Sequence, residues 1–578
     1  METDPYLAGN GSSKTDNNNI PFIRKEDSMK FYRQIGFSFV LGLAILGGAL
    51  LWTNVARSSD AYNNIQNHLI PLVNVYKEVT RRYVDEVDSE KFLKAGIDGM
   101  LGTLDPYTNY IEKEDKDQLD ILTEGKYEGV GLILNYRNNV VTVAEPPFLG
   151  TPSAKAGIRE GDQILKVGDL NTKDLGFEKT VQNIRGPAGS EVKLIIQREG
   201  ETKLLEFTLI RKSIKVEDVQ YSGFIKDDTG YILLTRFSRN AGPEVERAIR
   251  QLKAQKPLKS LILDLRSNPG GMLEAAVDVA ELFLPKNLTI VSTKGRSKET
   301  MQEFKSSKEP IYSEERLIVL VNQFSASASE IVAGAIQDHD RGIIIGDTTF
   351  GKGLVQTVVP LSQTSALKIT TAKYYTPSGR CIQKKNYSEW EDSTSIDPKA
   401  HFETDKGRKV SQGGGIIPDS VVRLPEASDY YWDLRRKSMF FNFAVSYANT
   451  HAVKDSNAVI NDDIVDDFRK YLIEKNYQYQ HPIEKSLIAL KNESIKNAYE
   501  NEMLKDIDKL EKTLKRAEED MFYSGLNDIK KTLRTELTSK FFGIHRQIEN
   551  SLQDDPVVQK AMDVLNSGGT YVGFLNKQ

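Results

Sequence analysis

The sequence predicts a multidomain α/β protein: a β-rich domain inserted ahead of an alternating strand–helix unit, with an N-terminal transmembrane helix and a helical C-terminal appendage. Three observations carry this reading. A stretch of 23 residues near the N-terminus holds no charge, short β-like runs give way to alternating strands and helices near residue 213, and charged helical spacing takes over after Pro425. At 578 residues the chain exceeds what one ordinary core organises, so several domains are expected.

Composition narrows the function. Hydrophobic residues at 39% and charged residues at 27% describe a globular chain able to bury real cores. A net charge of −4 with a pI near 6.1 supplies no basic field, which argues against nucleic acid as a partner. Cys381 is the sole cysteine, so no internal disulfide and no cysteine metal cluster can form, and neither metal nor cofactor is expected.

Taken in order, residues 1–30 are polar and aperiodic, and are expected to be a disordered cytoplasmic tail. Residues 31–56 contain the uncharged run Gln34 to Ala56, long enough to cross a bilayer as a helix. Arg24, Lys25, Lys30 and Arg33 precede it and keep the N-terminus cytoplasmic, which would export everything after Arg57. The polar lead is long for a signal peptide and no clear A-x-A site follows, so an uncleaved anchor is expected.

Residues 60–120 carry apolar positions at spacings of three and four, from Ile65 through Leu69, Leu72, Val73 and Tyr76, and predict a helical region. Residues 121–212 read as short strands such as VVTVAE and EVKLIIQRE separated by Gly, Pro and Asn turns. From 213 to 425, strand-like YILLTRF, SLILDLR and RLIVLVN alternate with helix-like PEVERAIRQLKAQ, LEAAVDVAELFL and SEIVAGAIQDH. That alternation implies parallel strands with crossover helices. Residues 426–578 read as helical to the end.

The chemistry gathers in that α/β unit. The apolar run Leu317–Val321 enters a short polar loop and then a helical pattern, which puts Ser327 at a strand-to-helix turn. Unpaired N–H groups at a helix start favour developing negative charge, so a hydroxyl there can serve as a nucleophile. Ser325, Ser327 and Ser329 are equally candidates for capping that helix, with Glu330 boxing it. A nucleophilic serine needs a base. His339 lies about three helical turns beyond Ser327, roughly 18 Å along a straight helix, and is excluded. Lys352 follows the serine by 25 residues, enough for the helix to end and a strand to return, and Gly351 and Gly353 permit close backbone approach. Burial would favour its neutral form; a solvated surface lysine is the plainer alternative. In LDLRSNPGGMLEAA, Gly270 and Gly271 could aim N–H groups at an oxyanion, or simply turn a corner.

Together these segments resemble the carboxyl-terminal processing peptidases, or tail-specific proteases, a serine peptidase family with a Ser–Lys dyad and a PDZ domain. The likeness rests on GMLGTLDPYTNYI, YEGVGLIL, DLRSNPGG, SASASEIVAGAIQDHDR, TFGKGLVQT, TAKYYTPSGR and GGGIIPDSVV, spread in family order from about residue 60 to 425. It implies a crotonase-like α/β peptidase core, Ser327 as nucleophile, Lys352 as general base and Gln356 helping to position the lysine. It implies oxyanion donors on Gly270 or Gly271 and on Ala328. It also implies a PDZ domain whose carboxylate-binding loop falls at Gly129, Val130 and Gly131, where a peptide tail adds by β-augmentation. The expected partners are protein or peptide substrates with free C-termini, the membrane and an adaptor protein. The expected location is the inner membrane, single-pass, with catalytic domains in the periplasm. A silent PDZ scaffold and an amidase acting on cell-wall peptides are the competing readings.

Overall fold

A computed structural model describes residues 67–112, 121, 123–362, 365–384, 387, 401–453, 460–479, 482–497 and 501–576. The expected membrane helix and cytoplasmic tail lie outside these residues. Among the described residues no helix is long and apolar enough to cross a membrane. The chain forms two compact units, divided at Gly99. The first contains helix α1 (67–82) and most of α2 (Ser89–Leu101), the helices expected from the spacing. Their apolar stripe, with Leu69, Leu72 and Val73, is exposed.

The second unit begins with β1 (Asn109–Glu112) and a ribbon strand β2 (Lys126–Gly129). Strands β3 (Leu134–Arg137), β4 (Val140–Val143), β5 (Gln163–Val167), β6 (Leu170–Asn171), β7 (Glu191–Gln197) and β8 (Leu205–Ile210) form an antiparallel sheet in the order β3-β4-β5-β7-β8, with β6 hairpinned onto β5. Helix α3 (Thr172–Ile184) lies between β6 and β7. Alternation in β7 sends Val192, Leu194 and Ile196 inward to join Val141, Val143 and Ile164 in a separate small core. The domain leaves through β9 (Lys212–Lys215), which pairs antiparallel with β2, so one two-stranded ribbon is both its entry and its exit.

The α/β core follows. Strands β10 (Val219–Lys226), β11 (Thr229–Leu234), β12 (Ser260–Asp264), β15 (Arg316–Val321), β16 (Ile343–Gly346) and β19 (Ser420–Val421) make a six-stranded sheet in that order, parallel from β11 onward. Every residue of β12 and β16 is buried, as a parallel sheet covered on both faces requires. One face is covered by α4 (Ala241–Gln255), α5 (Leu273–Ala280) and α6 (Ala328–Asp338). A second sheet joins β1, β13 (Thr289–Gly295), β14 (Gln302–Lys305), β17 (Leu354–Pro360) and β18 (Ser365–Tyr375), with β18 pairing β1, β13 and β17.

The C-terminal residues are helical, but they are more than an appendage. Helices α7 (Asp429–Arg436), α8 (Met439–Thr450), α9 (Asp462–Glu474), α10 (Pro482–Lys496), α11 (Asn501–Ser524) and α12 (Leu526–Phe542) include an aromatic core in which Phe440 stacks on Phe468 at 5.1 Å. The last three, α13 (Ile544–Gln553), α14 (Pro556–Asn566) and α15 (Gly568–Leu575), return to the peptidase sheet. Leu552, Val558, Val564 and Leu565 cover the face formed by Ile262, Ile318, Leu320 and Ile345. The Tyr571 hydroxyl accepts from the Leu317 N–H at 3.0 Å and donates to the Leu317 carbonyl at 3.2 Å. A parallel sheet has two apolar faces, and the crossover helices cover one; the C-terminus supplies the other layer.

Candidate active site

Strand β15 delivers the chain to a tight turn before α6. Ser327 is the N-cap of α6 at φ 55°, ψ −112°, a positive-φ conformation that a non-glycine residue adopts only when its surroundings hold it there. Ser325 and Ser329 are occupied elsewhere: their hydroxyls donate to the carbonyls of Leu265 at 2.8 Å and Asn268 at 2.9 Å. The boxing residue is Glu330, whose Oε2 accepts the Ser327 N–H at 2.8 Å.

Glu330 does more than cap. The same Oε2 accepts the Lys352 N–H at 2.9 Å, while Oε1 accepts the Gly351 N–H at 2.7 Å and the Thr349 hydroxyl at 2.6 Å. One fully buried carboxylate thus joins the backbones of Ser327 and Lys352. On the carbonyl side the Tyr374 hydroxyl reaches both the Ser327 carbonyl, at 3.1 Å, and the Lys352 carbonyl.

The glycines around Lys352 are required by close packing. A Cβ on Gly351, at φ 84°, would lie 2.8 Å from Lys384 Cβ, and one on Gly353 would lie 2.8 Å from the Gln383 nitrogen. The Lys352 side chain is not a solvated surface group. Burial, helped by the positive charge of Lys368, pulls its pKa down to about 8, against the opposing pull of Glu330 and Asp105. Its Nζ lies 4.6 Å from the centroid of the Tyr107 ring. Tyr107 and Asp105 come from the TLDPYTNY segment, and Asp105 Oδ1 accepts the N–H groups of Tyr107 and Thr108 at 2.8 and 2.9 Å. His339 is far from this chemistry: its ring nitrogens meet Asp405 and the Thr289 carbonyl, both at 2.7 Å.

The strand β12 corner abuts the serine. A Cβ on Gly270 would sit 2.9 Å from both Ser327 Cβ and the Ala328 nitrogen. The two glycines differ as donors. The Gly270 N–H is already taken by Asn268 Oδ1 at 2.9 Å, which removes Gly270 from the oxyanion donors in this conformation. The Gly271 and Ala328 N–H groups have no partner among the described residues. Gln356 does not reach the lysine. A β-bulge interrupts the β17–β18 pairing at Val355/Gln356, and the Gln356 amide donates to the Thr370 hydroxyl at 3.4 Å. Thr370 bonds Thr108, which bonds Asp105, so among the described residues Gln356 meets the site through that chain.

In the β-rich domain, Gly131 adopts φ 88° and would drive a Cβ to 2.4 Å from Thr151 Cβ, so this loop tolerates only glycine there. Val130 is buried in the domain core, leaving its backbone rather than its side chain for a ligand. Gly129 lies against the Tyr127 ring. Sequence reasoning gave no role to Tyr107, Asp105 or Tyr374, although each lies in a quoted motif, because only the strand register brings β1 and β18 beside residues 327 and 352.

The model for peptidase family S41 matches residues 228–389, and that for the PDZ domain matches residues 149–198. A "Probable PDZ-protease, C-terminal helical domain" model matches 432–565, and an "Activating protease CtpB N-terminal domain" model matches 49–115. A carboxy-terminal-processing protease of Bartonella bacilliformis is 39% identical over 398 residues, covering 68% of this chain and 83% of that protein. The chain belongs to the carboxy-terminal-processing proteases of peptidase family S41. A second such protease, from Synechocystis, is 36% identical and spans 60% of this chain and 85% of its own length. The solved photosystem II D1 C-terminal processing protease is 27% identical, covering 61% of this chain and 92% of its own, at a TM-score of 0.33. As a member of this family the protein is a serine-type C-terminal processing protease, a multidomain α/β enzyme with a PDZ domain and a helical C-terminal domain.

Proposed function

We propose that this processing protease is tethered to the inner membrane with its catalytic domains in the periplasm. There it captures protein tails through its PDZ domain and cuts peptide bonds with a Ser327–Lys352 dyad. The observation that carries the dyad is the pairing itself: one buried carboxylate holds the backbone N–H groups of both residues, beside a lysine whose buried ammonium titrates near 8.

In this mechanism neutral Lys352 Nζ takes the proton of the Ser327 hydroxyl as Oγ attacks the scissile carbonyl carbon. Negative charge develops on the carbonyl oxygen, where the unpartnered N–H groups of Gly271 and Ala328 would receive it at the start of α6. The tetrahedral intermediate collapses, the C–N bond breaks, and Lys352 returns its proton to the leaving amine. Water, deprotonated by the same lysine, then releases the acyl group and regenerates Ser327. The tail's carboxylate is read by backbone N–H groups of the Gly129–Gly131 loop. The alternating strands and crossover helices of the peptidase core support a crotonase-like reading of its architecture.

The anchor rests on the uncharged run Gln34–Ala56 with its basic N-terminal flank. An adaptor protein that delivers substrate is part of the same reading, as an expectation of the family. The test compares the full chain in detergent with its Ser327→Ala and Lys352→Ala variants on an unstructured protein bearing an apolar free C-terminus. Cleavage lost in both variants supports the dyad, and slower cleavage of a C-terminally amidated substrate supports PDZ capture. Full activity in Lys352→Ala removes the lysine from the mechanism.

A further inference from the structure

Ser327 and Lys352 stand on different elements. The serine begins α6, and the lysine lies in the loop between β16 and β17. Their backbones meet through two side chains only among the described residues. Glu330 holds the N–H side. Tyr374 holds the carbonyl side, and it comes from a third element, β18, in the other sheet.

The anchoring of Tyr374 is specific. Its backbone N–H donates to the Gly353 carbonyl at 3.0 Å, so the strand that carries the phenol is itself bonded to the lysine loop. The side chain is 1% exposed, and its hydroxyl is the only polar atom it carries into the interior. Burial and the nearby Glu330 charge keep the phenol protonated, so it remains a donor across the working pH range.

The two acceptors are unequal. The Ser327 carbonyl already receives the Glu330 and Ile331 N–H groups, at 2.8 and 3.0 Å, as the first bonds of α6. The Lys352 carbonyl has no donor other than Tyr374 among the described residues. The hydroxyl therefore secures the lysine loop more than the serine, using the helix start as its fixed point.

We propose that Tyr374 is a positioning residue for peptide-bond cleavage, its single O–H donated chiefly to the Lys352 carbonyl with the Ser327 carbonyl as the second acceptor of a three-centre bond, so that the lysine loop stays docked on the start of α6. This rests on the Ser327–Lys352 reading above. The phenol touches neither substrate nor reacting atom; it acts through the lysine. Without it the lysine loop keeps the Glu330 bonds but loses its carbonyl anchor, and a buried acceptor is left unmade. The loop then relaxes toward solvent, where the ammonium is better hydrated and gives up its proton less readily.

The experiment is Tyr374→Phe, which keeps the ring and removes the hydroxyl, measured for kcat, KM and pH profile in the full chain. Tyr312→Phe serves as the control: that phenol is equally buried and also donates to a carbonyl, that of Arg316 at 3.1 Å, but lies away from the site. The expected result is a kcat lowered at least tenfold, KM within twofold, and an activity rise displaced to higher pH, with Tyr312→Phe unmoved in its pH profile. A Tyr374→Phe enzyme with kcat within twofold of the parent overturns the proposal. So does a fall in kcat whose pH profile stays in place, which marks a merely structural loss. Lys352→Ala, run alongside, separates the two readings: if that variant stays active the dyad itself is wrong, whereas an inactive Lys352→Ala beside a normal Tyr374→Phe rejects the clamp alone.

Discussion

Glu160 of the PDZ domain and Lys540 of α12 approach to 2.5 Å across the contact between the PDZ and helical domains, with side chains only 9% and 5% exposed. The pair is poorly satisfied. Lys540 Nζ meets Glu160 Oε1, while Glu160 Oε2 makes no hydrogen bond among the described residues, and burial is the first influence on both, raising the carboxyl and lowering the ammonium. Around it Arg137 and Lys540 lie 3.6 and 4.0 Å from the Phe441 ring, and Gly161 admits Val445 so closely that a Cβ would come within 2.8 Å. A buried pair with incomplete hydrogen bonding balances attraction against desolvation, and removing one member strands the other. Lys540→Met alone is expected to destabilise the chain by about 3 kcal/mol. Glu160→Gln combined with Lys540→Met is expected to regain most of that, and thermal unfolding of the single and double variants measures the difference.

In the proposed dyad the lysine sets the pH dependence. Lys352 must be neutral to accept a proton, and its pKa of about 8 lies below the ordinary lysine value. Activity under kcat/KM conditions is therefore expected to rise about tenfold per pH unit below 8 and to level off above it. Lys368 is the second influence lowering that pKa, after burial. Lys368→Met removes a like charge, so the ammonium form becomes easier to keep and the rise is expected to move to higher pH. Profiles of the two proteins side by side check the direction; a shift to lower pH would contradict it.

Gly270 is held at φ 96° against the Ser327 turn, where a Cβ would lie 2.6 Å from the Ala326 carbonyl oxygen and 2.9 Å from the Ala328 nitrogen. Gly270→Ala must either strain this corner or push it away from Ser327, and the added methyl crowds a donor proposed for the oxyanion. Loss of such a donor costs on the order of 10²- to 10³-fold in kcat. A fall of that size with KM little changed is expected, and steady-state kinetics beside a melting curve separates it from unfolding.

What the sequence disclosed and what it hid divide by distance along the chain. The strand-to-helix turn at Ser327 and the glycine-flanked loop at Lys352 are local patterns and legible as such, but alone they fit a helix cap and a surface lysine equally, and it is the family resemblance that pairs them. The continuous apolar runs of β12 and β15 likewise announce buried parallel strands. Glu330 was visible as a boxing residue, but its grip on Lys352 was not, since that needs the loop after β16 to fold back onto α6. Tyr107 and Tyr374 were hidden for the same reason, because the registers of β1 and β17 on β18 bring them in. The Gly270 N–H gave no sign of being spoken for, because the corner residue Asn268 turns its side chain back on it.

The second layer of the peptidase core was equally invisible, and it yields the last prediction. Helical spacing after Pro425 says that helices form, not where they pack, yet α13 to α15 bury Tyr231, Ile262, Ile318, Leu320, Ile343 and Ile345 on the sheet face that α4, α5 and α6 leave open. Asp555, the N-cap of α14, also receives Arg266 at 2.8 Å, and Arg266 is bonded to Asp264 at the end of β12. The strand that leads into the Gly270–Gly271 corner is thus braced by the C-terminus. Ending the chain at Gly543 would expose this face while leaving Ser327, Lys352, Glu330 and Tyr374 in the sequence. Such an exposed apolar face drives association. The truncated protein is expected to be inactive and aggregated. Tyr571→Phe, which removes the hydroxyl bonded to Leu317 and beside Arg341, is expected to lose about 1 kcal/mol and keep its activity. Size-exclusion chromatography with cleavage assays distinguishes the two: a soluble, active truncation would mean that the peptidase sheet does not need its second layer.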